Sequence, residues 1–150
     1  MKIRALLLIT IMISGIYVML QSYEDYNEKE FTELIDSTNT RFSSLVFTKP
    51  STIGSTSKTW TVVEESEIEN LLSFLQNYHV RKLKPEEIDP YDEIDQFSIN
   101  LQDENGNVIS LILNEDVIIQ NSMLYYEIVD GPLNVDWLVQ FFVSNQKKSE

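Results

Sequence analysis

Three patterns of hydrophobic and polar positions run along the chain, and each predicts a different element. From Ala5 to Leu20 the sequence ALLLITIMISGIYVML carries no charge, with Lys2 and Arg4 before it. At ~1.5 Å per residue, a helix of that run spans about 24 Å, a little short of a ~30 Å hydrocarbon core. Snorkelling of the two basic side chains and interfacial seating of Tyr23 absorb the difference. The run ends Val18-Met19-Leu20-Gln21-Ser22, which lacks the small residues that a signal peptidase site wants. An uncleaved transmembrane anchor is therefore the favoured reading of residues 1–22, and a cleaved signal peptide with a secreted product is the alternative.

The second pattern is helical. Ile68, Leu71, Leu72, Leu75 and Tyr78 recur on one face, after Ser66-Glu-Ile-Glu69, which reads as a capping box. Near the C-terminus Asn134 is placed to cap a helix running to about Ser144. Leu133 and Leu138 make its hydrophobic staple, and Trp137, Phe141 and Phe142 continue its apolar face.

The third pattern alternates. Phe42–Thr48 and Lys58–Val63 are β-like around a turn cluster containing Pro50 and Gly54. Phe97, Ile99 and Leu101 alternate with Ser98, Asn100 and Gln102, and Ile109, Leu111 and Leu113 with Ser110, Ile112 and Asn114. A three-residue loop Glu104-Asn105-Gly106 pairs Leu101 with Ile109, Ile99 with Leu111 and Phe97 with Leu113, keeping all six on one face. A two-residue Asn-Gly turn would scramble the faces. A type I turn with Gly106 left-handed is thus expected. Asp116–Gln120 and Leu124–Val129 form the next hairpin, around Asn121-Ser122.

Together these elements predict an α+β fold. An antiparallel meander sheet of about five to seven strands carries two helices on one face, behind the N-terminal anchor helix. The other face, with Ser98, Asn100, Gln102 and Ser110, is expected to be solvated. Residues 23–40 are polar with scattered Tyr26, Phe31, Leu34 and Ile35 and read as a stalk; residues 41–150 read as the folded domain.

The anchor, the block Ser66–Tyr78, the hairpin Phe97–Gly106 and the segments Tyr125–Val129 and Leu133–Leu138 resemble small membrane-anchored extracytoplasmic proteins of unknown function from Bacillus and related Firmicutes. The likeness covers roughly residues 58–143. It implies an extracytoplasmic domain and supplies no catalytic residue.

Charge sharpens the picture. The chain has 24 acidic and 11 basic side chains and a formal net charge of −13. Lys2 and Arg4 are two of those 11, so 9 basic against 24 acidic groups remain beyond the apolar run, about −15. The positive-inside rule leaves the N-terminus in the cytoplasm and exports the acidic part. Nucleic acid is excluded as a partner, since phosphate binding needs a basic face. A basic protein is the partner that such charge would steer.

Candidate chemistry is sparse. With no cysteine, disulfides, thiolate metal sites and thiol nucleophiles are ruled out. His79 is the one histidine; following the capped helix, it reads as a helix-end residue rather than a catalytic base. No glycine loop or nucleophile elbow occurs. The segment 86–95 concentrates six carboxylates in ten residues. Asp89, Asp92 and Asp95 are its candidates for calcium, against a plain solvated acidic connection. Asp103-x-Asn105-x-Asn107 copies the start of a calcium loop but fails at Val108 and Asn114, and a hairpin turn explains it better. Arg81-Lys82-x-Lys84 is expected to be neutralised within the chain. Tyr125, Tyr126, Trp60 and Trp137 read as core aromatics.

The expectation is therefore a membrane-bound extracytoplasmic module, seated through residues 5–20, for protein interaction or sensing. It needs no cofactor and is not an enzyme. The alternative is an acidic inhibitor or immunity-type protein that neutralises a basic extracellular enzyme.

Overall fold

The computed structural model describes residues 2–35, 41–49, 58–88 and 97–148. Helix α1 (Lys2–Asp25) is exposed along its length and is long and apolar enough to cross a membrane. It continues past the apolar run, and at ~1.5 Å per residue reaches about 36 Å. Only Tyr26 and Asn27 separate it from β1 (Glu28–Glu30).

Then follow α2 (Phe31–Ile35), β2 (Phe42–Lys49), β3 (Lys58–Val62), α3 (Glu65–Leu75), β4 (His79–Lys82), β5 (Phe97–Asp103), β6 (Val108–Leu113), β7 (Val117–Gln120), β8 (Leu124–Ile128) and α4 (Val135–Lys148). The strands form one antiparallel sheet in the order β1-β4-β8-β7-β6-β5-β2-β3. The fold is the expected α+β class, with eight strands among the described residues. The strands not foreseen are β1 and β4, three and four residues long. Both are too short and too charged to show an alternating pattern.

The expected β5–β6 register is observed, with Phe97 opposite Leu113, Ile99 opposite Leu111 and Leu101 opposite Ile109. Asp103 accepts from the Gly106 amide at 3.1 Å and donates to the Asn107 carbonyl at 3.0 Å, closing a type I turn. Gly106 takes φ +85°, the left-handed conformation that glycine adopts at least cost. The β7–β8 turn at Asn121 and Ser122 also uses positive φ.

One face of the sheet is dry. Leu45, Phe47, Ile99, Leu101, Leu111, Leu113, Ile118 and Val80 are buried there beneath the helices. Phe142 of α4 stacks on Phe47 at 4.2 Å, and Trp137 of α4 stacks on Phe74 of α3 at 3.9 Å. Tyr126 is buried and Tyr125, Trp60 and Trp137 are half-buried. The other face is open: Ser98, Asn100 and Ser110 are half-exposed and Gln102 is exposed, as expected, but Ile112, Ile119 and Tyr125 lie half-buried among the polar groups.

Two local expectations are corrected, and one segment is placed differently. Helix α3 starts at Glu65 with Glu64 at its cap position and no side-chain cap bond, so Ser66 lies inside the first turn and no capping box forms there. The Glu64 carbonyl already accepts from Glu67 and Ile68. Asn134 does cap α4, its Oδ1 accepting from the Trp137 amide at 3.0 Å. His79 is not at a helix end: α3 stops at Leu75 and His79 opens β4. Within the segment expected as a stalk, β1 is an edge strand of the sheet, and Phe31, Leu34 and Ile35 of α2 are buried in the core. The Phe31 amide donates to the Tyr78 carbonyl at 3.0 Å, and Gln120 Nε2 donates to the Leu34 carbonyl at 2.8 Å. Three apolar side chains in a polar run were enough to dock it.

Candidate functional site

The charged end of the open face is built by strand register. Val80 is buried, so its neighbours His79 and Arg81 point to the opposite, open face. In β1, Glu30 lies opposite His79 and Glu28 opposite Arg81, which puts both glutamates on that face too. Beyond β8, the Val129 amide donates to the His79 carbonyl at 3.0 Å and so brings Asp130 alongside the imidazole.

Two ionic groups result. Arg81 Nε donates to Glu127 Oε1 at 2.7 Å, and its terminal nitrogen reaches Glu87 Oε2 at 3.3 Å. Glu87 is held below the ordinary carboxylate range, first by the Lys84 amide and then by Arg81. The expected neutralisation of the basic patch is thus observed for Arg81. Lys82 and Lys84 instead lie over the Tyr26 ring, at 5.5 and 5.9 Å.

The second group is His79 with Asp130. Nδ1 and Asp130 Oδ2 are 2.9 Å apart, and the same carboxylate accepts from the His79 backbone amide. The hydrogen bond to Asp130 raises the imidazole above its ordinary 6.5; desolvation opposes it, and the charges of Asp130, Glu28 and Glu30 add to the rise. Asp130 is lowered in return, chiefly by the His79 amide. Glu28, His79 and Asp130 can each offer one ligand atom, all within 4.8 Å of one another.

Elsewhere a cavity of about 250 Å³ opens between α2, the start of β2 and α3, with Ile35, Phe42, Ile68 and Leu72 in its wall. Arg41, Glu65 and Glu69 are charged groups in its lining, and Arg41 and Glu65 form an exposed pair 3.9 Å apart. The Asp103 carboxylate is engaged within the β5–β6 turn. Its Oδ1 accepts from the Asn105 and Asn107 amides at 2.8 Å and its Oδ2 from Asn107 Nδ2 at 2.7 Å, which holds its pKa low and stabilises the turn. Asp89, Asp92 and Asp95 lie outside the described residues.

No spacing in the sequence announces the meeting of Glu28, His79 and Asp130. Glu28 sits in the segment read as a stalk, and Asp130 reads as the end of the sheet. The usable signal was the single histidine beside an inward Val80 with charged neighbours on both sides.

No protein-family model, curated protein or solved structure matches the chain.

Proposed function

We propose that the protein is a membrane-tethered extracytoplasmic domain acting as a non-enzymatic protein-interaction or sensing module. The observation that carries this reading is the junction: one exposed apolar helix runs to Asp25, and two residues later the chain enters the sheet. Basic residues precede that helix and Glu24, Asp25, Glu28 and Glu30 follow it, which favours an exported domain. A link so short couples the sheet edge to the membrane surface more tightly than a flexible stalk does.

The absence of cysteine supplies a clean test. Single cysteines replace Lys2 and the exposed turn residue Glu104 in the full chain expressed in bacteria. A membrane-impermeant maleimide applied to intact cells is expected to label Glu104→Cys and spare Lys2→Cys, with the protein retained in membranes after carbonate washing. Labelling of Lys2→Cys alone overturns the orientation, and release of the domain into the medium replaces the anchor by a cleaved signal.

The charge of about −15 beyond the apolar run favours a second reading, an acidic inhibitor of a basic extracellular enzyme. Capture of a basic partner from membranes that is lost at high salt supports it; a salt-resistant complex argues for the first reading.

A further inference from the structure

Three segments far apart in sequence deliver one imidazole and two carboxylates to one spot on the open face. Glu28 comes from the strand that follows the membrane helix, His79 from β4 and Asp130 from the turn after β8. Backbone pairing fixes all three: β1 on β4 by register, and the residue before Asp130 on the His79 carbonyl at 3.0 Å. We propose that Glu28, His79 and Asp130 form a binding site for a divalent cation of the zinc class.

The donor set selects the ion. Calcium and magnesium prefer oxygen ligands alone, six or more of them, whereas an imidazole with carboxylates suits zinc and its neighbours among the later first-row metals. A tetrahedral ion with bonds of ~2.0–2.1 Å sets its ligands about 3.3 Å apart. His79 Nδ1 and Asp130 Oδ2 stand 2.9 Å apart, so the ion takes the place of the proton they share with a slight opening of the pair. Glu28 is exposed and has three side-chain torsions with which to close the rest of the 4.8 Å. The protein thus supplies three ligands, and a fourth position stays open to water or to a group from outside. Glu30, directly opposite His79, adds negative charge beside it.

Such an ion would fasten β1, the edge strand nearest the membrane helix, to β4 and to the end of β8. In the apo protein that edge is paired over only three residues, Glu28–Glu30. The inference rests on these three side chains and not on the side of the membrane they occupy, so it stands or falls separately from the proposed function.

The test uses the full chain in detergent, purified with a histidine-free tag, stripped with chelator and titrated with zinc chloride by calorimetry. Because the chain has one histidine, selective ¹⁵N-histidine labelling leaves a single imidazole to follow by NMR. One-to-one binding is expected, with a shift of the imidazole nitrogens and a rise in Tm, since a ligand that binds only the folded state stabilises it. His79→Gln and Glu28→Gln are each expected to weaken zinc by about tenfold or more. Magnesium at the same concentration is expected to leave the imidazole signals in place. Should His79→Gln fail to fold, the exposed Glu28→Gln variant decides alone. The proposal is overturned by absence of saturable zinc binding to the folded wild type, by unchanged affinity in Glu28→Gln, or by magnesium producing the same imidazole shift.

Discussion

The two ends of the sheet are held by different forces. At the β2–β3–β5 end, eight-residue β2 pairs on both sides, and Phe47 beneath it is fully buried between Trp60 and Phe142. At the β1–β4 end the strands are three and four residues long, and their open-face side chains are Glu28, Glu30, His79 and Arg81. Burial of apolar area is worth about 25 cal/mol per Å², while exposed ion pairs are worth about 0–1 kcal/mol each. The first end therefore carries stability, and the second, beside the membrane helix, is free to respond to protons, ions or a partner.

The largest expected effect lies at the first end. Phe47→Ala removes a ring packed against two others and should cost about 3–5 kcal/mol in urea unfolding. Arg81→Ala, at the second end, breaks pairs whose side chains are 30–41% exposed and should cost about 1 kcal/mol or less. Equal losses from the two substitutions would remove the contrast. Between them stands the β5–β6 turn. Gly106→Ala forces an alanine to φ +85° and should cost about 1–2 kcal/mol. A Cβ at that site meets nothing closer than 3.9 Å, so a larger loss would point to a rearranged turn rather than to steric conflict.

The same contrast explains what could be read in advance. The β5–β6 register followed from six alternating apolar residues and one Asn-Gly pair, because a slip of one residue would turn Phe97, Ile99 and Leu101 out to water. The cap of α4 was equally visible in Asn134. The β1–β4 end gave no such signal, since its strands bury only Val80 and their pairing is fixed by what α2 and β8 do nearby. Phe31, Leu34 and Ile35 fit one helical turn but do not state what they dock on. The cluster at His79 was illegible for the same reason: its members meet through register between short strands, which no local pattern records. Ser66 shows the opposite error, a strong local motif overridden when the backbone began its helix at Glu65.

The smallest expected effect separates the ends by pH, measured in chelator-treated protein. His79 faces Asp130, Glu28 and Glu30 and is raised above 6.5, so its contribution is complete below 6.5 and is lost as pH climbs through the raised value. Asp130 at the same edge and Asp103 at the β5–β6 turn are both lowered from 3.8. Their contributions are present above 3.8 and disappear as pH falls through the lowered values. Acid thus loosens both places, whereas mild alkali loosens only the edge. Hydrogen exchange corrected for intrinsic rates should show protection of the β1–β4 amides declining from pH 6 to pH 8.5 relative to that of the β5–β6 amides. Asp130→Asn should shrink the decline, because the largest cause of the raised imidazole is then gone and only the charges of Glu28 and Glu30 remain. A parallel change in both sets of amides would mean that the edge opens only with the whole domain, and the two ends would then be one cooperative unit.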